Sequence, residues 1–362
     1  MANDGKMIVA VIGGGLSGTL VAAHLLTRRL IGAESDRALR VLLIEREARK
    51  MTRGVAYGTA DDVHLLNVPA CNMSAYPDAP DHFLRWCERA DLPVGRDTFV
   101  PRKTYGVYLR DVLEEAGDHA AGGNELEQIY DEVISLEADE RAQCAMLRLR
   151  YRGARYADRV VIACGNYAPT DPTIEGAADF YARSPLYTRD PWREGALDAL
   201  DPTRPVLLVG TGLTMIDVAL SLKERGFDAP LYALSRHGHL PQAHAEAVPL
   251  ASFDFPIDGR LTTRRLFRAV RRKAVEAAEA GSNWRAAINN LRPLTQKIWQ
   301  ELDEEERRRF LRHARAYWEV HRHRMAPEIA AAVGAMVNSG QLKIHAGRLV
   351  ALRQTGDWVE VA

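Results

Sequence analysis

Gly13, Gly15 and Gly18 stand at the spacing GxGxxG, and Gly210 and Gly212 repeat its first half later in the chain. Glycines so spaced can serve ordinary packing, but with a strand before them, a helix after them and an acid ending the next strand they point to a pyrophosphate. The first allows a tight turn, the second lets the backbone approach the phosphates, and the third lets a helix lie close to its strand. The next helix offers free N–H groups and a positive dipole end to the same anion. Leu16 and Ser17 complete the first turn, and Leu213 and Thr214 open the helix after the second. Glu45 ends the next apolar run, where a carboxylate accepts hydrogen bonds from an adenosine ribose, and Arg46 comes directly after it. In the second copy that position reads Ser235-Arg236. An Arg there can grip a 2′-phosphate, which points to NADP over NAD; a surface Arg after a strand is the alternative. Met215 stands in place of the third glycine of the second motif, so looser packing of helix on strand is expected there.

The elements that must position these residues emerge from hydrophobic pattern. Ile8 to Ile12 is apolar enough for a buried parallel strand, Leu16 to Leu30 has a helical face, and Val41 to Ile44 is a second buried strand. The gap between motif and acid exceeds the usual ~20 residues, and the polar insertion Gly32 to Arg40 accounts for it. Lys50 to Asp81 has no clear period, and so long an irregular stretch is usually functional. Helical patterns resume near Pro80 to Ala90 and Lys103 to Ala116. Strand-like pieces occupy Glu127 to Arg155, and Val160 to Ala163 is buried-strand-like before Cys164-Gly165-Asn166. The plan then restarts, with a strand at Pro205 to Val209, a helix at Met215 to Arg225 and a strand at Leu231 to Leu234. Arg260 to Val337 is mostly helical, with Trp284, Trp299 and Trp318 as packing anchors, and Gln341 to Val361 is strand-like. Duplication of one βαβ plan is the most informative feature. The expected architecture is α/β: two Rossmann-type dinucleotide-binding domains with a mostly helical segment. The domains run 1–200 for the first nucleotide and 201–258 for the second, then 259–338 helical and 339–362 as the start of a return strand meander. Two nucleotide sites in one chain predict a flavoprotein, with FAD held at one and a nicotinamide cofactor admitted at the other.

Composition excludes several classes. The chain has 362 residues, with hydrophobic residues at 47% and charged residues at 27%, which fits a packed multidomain protein rather than a disordered one. Lys plus Arg and Asp plus Glu are each 48, so the basic excess of a general nucleic-acid binder is missing. Cys71, Cys87, Cys144 and Cys164 form no CxxC pair, and their wide spacing fits free thiols in the cytoplasm. The apolar run Met7 to Leu26 is broken by glycines, so a strand, turn and helix explain it better than a membrane span or signal peptide. His313, His321 and His323 invite a metal, but His321 and His323 fall on different helix faces and no carboxylate or Cys completes a site. The basic run Arg264, Arg265, Arg268, Arg271, Arg272 and Lys273 is succeeded by Glu276 and Glu279 and reads as a solvated face. His237, His239 and His244 after Arg236 read as a polar loop, with cofactor or substrate contact as the alternative.

Further blocks carry a family resemblance. They are Val11 to Gly18, Arg53-Gly54-Val55-Ala56-Tyr57-Gly58-Thr59, His64 to Ala70, Met73-Ser74-Ala75, Val100-Pro101-Arg102, Val209 to Thr214, Ser235-Arg236 with Gly238, Leu240 and Pro241, and His321 to Arg324. On these the chain resembles the FAD/NAD(P)-binding family that includes flavin-dependent urate hydroxylase and the aspartate N-monooxygenase. It resembles N-hydroxylating flavin monooxygenases more distantly. The resemblance implies that Arg53 to Ala75 lies against the flavin ring, with Asn67 bonding its edge or a substrate and Met73 packing on its face. Simple loop packing is the alternative for both. It also implies that Val160 to Asn166, with Gly165, closes over FAD, although Cys164 stands where Thr is usual. Family members run on to a further strand and a Gly-Asp segment at the flavin's sugar chain. Gly356-Asp357 sits in an expected hairpin, so the C-terminal part of the FAD domain is expected to be absent. The activity implied is NADPH-driven hydroxylation of a small molecule by O2 through a flavin hydroperoxide. A flavin reductase or dehydrogenase without oxygen insertion, or a non-catalytic partner subunit, is the alternative. The sequence singles out no acid, base or oligomeric state.

Overall fold

The computed structural model describes residues 5–27, 37–139, 143–250 and 260–362. The expected end of the first helix at Leu30, most of the insertion from Gly32, and the expected boundary at 258/259 lie outside these. The chain divides into two compact units. The first runs to Thr170 and takes in Trp192–Glu194; the second holds Asp171–Pro191 and Gly195–Ala362.

In the first unit, β1 (Met7–Ile12), α1 (Leu16–Thr27) and β2 (Leu39–Glu45) form the expected βαβ unit. After the irregular stretch come α2 (His82–Arg89), α3 (Arg102–Asp118) and β3 (Glu125–Tyr130). A meander of β4 (Val133–Asp139), β5 (Cys144–Leu149) and β6 (Ala154–Ala157) leads to β7 (Arg159–Ile162). The parallel sheet has the order β3-β2-β1-β7, with Ile12 opposite both Ile44 and Ile162. Alternation along the strands fills two cores. Val9, Val11, Val41 and Leu43 face a cluster with Ala22, Ala23 and Leu26 of α1 and Leu109 and Val112 of α3. Ala10, Leu42 and Ile44 face Leu147, Leu149 and Ala157 of the meander. Burial on both faces is why these strands read as unbroken apolar runs.

The second unit opens with α4 (Ala178–Arg183), β8 (Val206–Val209), α5 (Leu213–Glu224) and β9 (Leu231–Ser235). A helical segment comes next: α6 (Thr263–Glu279), α7 (Trp284–Leu291), α8 (Thr295–Glu301), α9 (Glu304–His313), α10 (Arg315–Arg322) and α11 (Pro327–Asn338). Thr262, Asn283 and Asp303 cap α6, α7 and α9 by accepting first-turn backbone N–H groups. Trp284 and Trp318 pack around Ile288 and Leu291, whereas Trp299 is 36% exposed and lies against Phe310 and Arg307. Trp299 is therefore not the interior anchor its type suggests. β10 (Leu342–Ala346) pairs in parallel with β9, giving the order β10-β9-β8, and β11 (Leu352–Thr355) with β12 (Trp358–Val361) makes an antiparallel hairpin. The expected return meander from 339 is thus corrected. Its first strand belongs to the second parallel sheet, in the place β3 holds in the first, because Leu342 is buried against Leu231.

The irregular stretch of the first unit is braced by an aromatic block. The Tyr108 hydroxyl accepts from the Ala75 N–H at 2.9 Å and lies 2.8 Å from His82 Nδ1. His82 Nε2, on the other side of the ring, lies 3.7 Å from Glu115. Burial holds the His82 pKa below its ordinary value, and burial pushes the Tyr108 hydroxyl up to about 12. Rings of Tyr76, Phe83, Trp86 and Tyr105 pack around Tyr108 and His82. Because the folded state resists protonation of His82, the unfolded chain binds the proton first as pH falls through about 6.5. Stability from this group is present above that pH and declines below it. Thermal unfolding monitored from pH 8 to pH 5 should show this decline, with a shallower slope in His82→Gln; an unchanged slope would contradict the assignment.

Candidate functional site

Each unit closes its glycine turn with the same hydrogen bond. Gly13 N–H donates to the Ile44 carbonyl at 2.8 Å, and Gly210 N–H donates to the Leu234 carbonyl at 2.7 Å. Both glycines hold positive φ, +106° and +112°, a region that L side chains rarely adopt. The turn delivers the chain into α1 or α5, whose first-turn N–H groups have no intrahelical acceptors. A Cβ on Gly18 would collide with the Gly13 carbonyl oxygen, so α1 rests directly on the turn. Met215, at the corresponding place in α5, is buried instead.

In the first unit Gly13, Gly15, Leu16, Ser17, Gly18, Glu45 and Arg46 come together as expected. Glu45 Oε2 accepts the Gly14 N–H at 2.9 Å, and Oε1 accepts the Glu47 N–H at 3.1 Å. Each oxygen keeps a further lone pair for a ribose hydroxyl. Arg46 is exposed, with Glu47 at 3.6 Å and Glu132 at 4.0 Å. The resemblance block starting at Arg53 reaches the same turn. Thr52 N–H donates to the Gly14 carbonyl at 2.7 Å, and a Cβ on Gly54 would lie 3.2 Å from Gly15 Cα. Behind it, a Cβ on Gly106 of α3 would lie 2.6 Å from the Tyr57 carbonyl oxygen. Asn67 and Met73 sit on the segment tied down by Leu66 N–H to Val100, Arg102 Nε to the Leu65 carbonyl, and Ala75 to Tyr108. Met73 packs on the same core as Leu16 and Leu20, and Asn67 is half-buried. The Ala163 carbonyl lies against Gly13, which places Cys164 and Gly165 beside the turn; both are exposed.

In the second unit Gly210, Gly212, Leu213, Thr214, Ser235 and Arg236 also come together. An added Cβ on Gly210 or Gly212 would meet nothing within 4 Å among the described residues, so each position is open to solvent or a ligand there. Thr211, absent from the expected site, is its lock. Its hydroxyl donates to the His239 carbonyl at 2.6 Å, so the Ser235 hydroxyl donates to Thr211 Oγ1 at 2.8 Å. The Gly238 N–H closes the loop onto Ser235 Oγ at 3.1 Å. Arg236 is exposed. The Gly-Thr-Gly run holds the only sequence signal for Thr211, a hydroxyl between two glycines. The distant histidines have other tasks: His321 Nδ1 bonds the Tyr317 carbonyl at 2.7 Å, and His323 Nε2 meets Arg322 at 3.1 Å. His244 takes part in backbone pairing with Met325. Among the described residues no group of three potential metal ligands occurs, no cysteine is in a disulfide, and no helix is long and apolar enough to cross a membrane.

Two adjoining parallel strands, a positive-φ glycine after the first and an acid at the end of the second mark the first unit. Residues 10–167 match the model of an FAD-NAD(P)-binding family. That stretch contains the first glycine turn, Glu45, the braced loop and β7. No curated protein matches the sequence. Solved structures share the fold of nearly the whole chain. The ornithine hydroxylase of Pseudomonas aeruginosa is 16% identical with a TM-score of 0.60, over 98% of this chain and 76% of its own. The cadaverine monooxygenase of Erwinia amylovora is 12% identical with a TM-score of 0.59, over 98% and 72%. The ornithine N-hydroxylase of Kutzneria sp. 744 is 14% identical with a TM-score of 0.52, over 98% and 75%. The fold is thus the mixed α/β, Rossmann-like fold of flavoproteins of this kind.

Gly18→Ala tests the contact on which the first turn depends. Its Cβ would have to displace the Gly13 carbonyl, and FAD binding should fall at least about tenfold, as for loss of a few kcal/mol of site geometry. Gly117→Ala, at a position where a Cβ meets nothing within 4 Å, is the control. Equal FAD affinity in both variants would contradict the assignment.

Proposed function

We propose that the chain is an FAD-dependent, NADPH-using oxidoreductase that acts as a monooxygenase on a small molecule. The observation that carries this is the repeated glycine turn. The same backbone bond precedes a carboxylate in one unit and Ser-Arg in the other. The residues present fit two different dinucleotides. Glu45 keeps lone pairs for an unphosphorylated ribose, and the space over Gly210 and Gly212 is open for phosphates. In this reading Gly13, Gly15, Leu16, Ser17, Gly18 and Glu45 hold FAD, with Arg46, Asn67, Met73 and Gly165 around it. Gly210, Gly212, Leu213, Thr214, Ser235 and Arg236 hold NADP(H).

When bound, FAD would take electrons from the nicotinamide and supply them to O2 for oxygen insertion. The chain's own residues bind and orient. The N-terminus of α1 neutralises the pyrophosphate, Glu45 fixes the ribose, and the Thr52–Gly54 turn covers the glycines. The Tyr108–Ala75 bond holds the loop that would border the ring. The fold relatives support the monooxygenase reading. The Kutzneria structure holds reduced FAD, NADP+ and L-ornithine, and another relative is the L-lysine 6-monooxygenase of Pseudomonas syringae. The blocks from Arg53 to Ala75 favour, within this group, the branch with flavin-dependent urate hydroxylase and the aspartate N-monooxygenase.

Arg236 tests the cofactor choice. Loss of a hydrogen bond to a charged group costs ~1.5–3 kcal/mol, so Arg236→Ala should weaken NADPH about ten- to a hundred-fold and leave NADH nearly unchanged. Unchanged NADPH affinity with altered NADH affinity would contradict it.

A further inference from the structure

We propose that His237 carries the adenine ring of the nicotinamide cofactor on its open face, with His239 and Tyr317 backing it. The inference rests on the reading of the second glycine turn as the NADP(H) site, and it adds the base to that site. Nucleotides bind in the crevice beyond the carboxyl ends of parallel strands. His237 stands there, at the end of β9 and next to Arg236. The 2′-phosphate and the base hang from the same ribose, so a residue adjoining the phosphate grip is within reach of the base.

The loop is fixed before any ligand arrives. The His239 carbonyl accepts from Thr211 at 2.6 Å, and Ser235 Oγ accepts the Gly238 N–H at 3.1 Å. Gly238 takes φ +61° and lies against Ala346 of β10. A platform held in this way loses little freedom on binding.

The rings are arranged for stacking. His237 and His239 lie 5.6 Å apart and 17° from parallel. Tyr317 of α10 is 5.1 Å from His239 and 6.5 Å from His237. His237 is exposed, so it has one backed face and one open face. His239 Nε2 is shielded and has no hydrogen-bond partner among the described residues. A shielded, unpartnered polar atom carries an energetic cost. A merely polar loop would turn this ring into water, whereas here it forgoes a hydrogen bond to lie under His237. Flat π-faces so presented suit a nucleobase, and base–aromatic stacking needs no particular hydrogen-bond pattern.

Adenine is common to NADP+ and NAD+, which sets the test. Titrations of the full chain with NADP+ and with NAD+ are compared for wild type, His237→Ala, His237→Phe and Arg236→Ala, with circular dichroism to confirm folding. His237→Ala should weaken both dinucleotides about tenfold, leaving their ratio unchanged. His237→Phe should stay within about threefold of wild type, because it keeps the ring. Arg236→Ala should change the ratio. Equal loss in the Ala and Phe variants, no loss in either, or a loss confined to NADP+ would each overturn the stacking role. Failure of the wild type to bind either dinucleotide would overturn the NADP(H) site itself, and the inference with it.

Discussion

A backbone N–H reaching sideways to the end of the neighbouring strand is the constraint on which both units depend. For Gly13 the acceptor is Ile44, and for Gly210 it is Leu234. The bond continues the parallel ladder by one residue, and the same glycine then takes a positive φ, which it adopts without a steric penalty and which turns the chain out of the strand. That turn ends the first strand, sends the chain into a helix and sets that helix's N-terminus beside the last residue of the second strand. Glu45 and Ser235 are those residues. The glycine turn, the helix N-terminus and the residue ending the second strand are thus placed by one geometry, used twice.

The side chains around each turn make the two sites different. In the first, the carboxylate of Glu45 is tied to Gly14, and the Thr52–Gly54 segment lies over the glycines. In the second, neutral hydroxyls of Thr211 and Ser235 take the place of the acid, and Arg236 supplies charge. A carboxylate next to a 2′-phosphate would repel it, while a hydroxyl pair does not. The aromatic block around Tyr108 has a supporting part. It holds Ala75 by a hydrogen bond and the preceding loop by packing, so the irregular stretch, whose regular structure is short 3-10 turns such as Ala70–Asn72, is fixed largely by its surroundings.

Much of this is legible in the sequence because it is local. Apolar runs mark strands buried on both faces, glycine spacing marks the turns, and an acid or a Ser-Arg pair marks the end of each second strand. The resemblance block Arg53 to Ala75 is legible as a loop with a task, and the structure ties it to Gly14 and Tyr108. The hidden features are non-local. β10 pairs with β9 across the whole helical segment, and nothing near Leu342 announces its partner. Trp299 has the residue type of a core anchor but lies at the surface against Phe310 and Arg307, while Trp284 and Trp318 pack on Ile288 and Leu291. Thr211 acts through Ser235 and His239, which are distant in sequence and adjacent only once β8 and β9 are paired.

The central claim is that one chain holds a flavin and a nicotinamide cofactor that exchange electrons. The most direct test is an absorbance spectrum of the purified chain with FAD, then with NADPH added without oxygen, then with air admitted. The account predicts a protein-bound flavin spectrum that bleaches with NADPH and recovers with air. A chain that binds no FAD, or binds FAD that NADPH does not reduce, would contradict it.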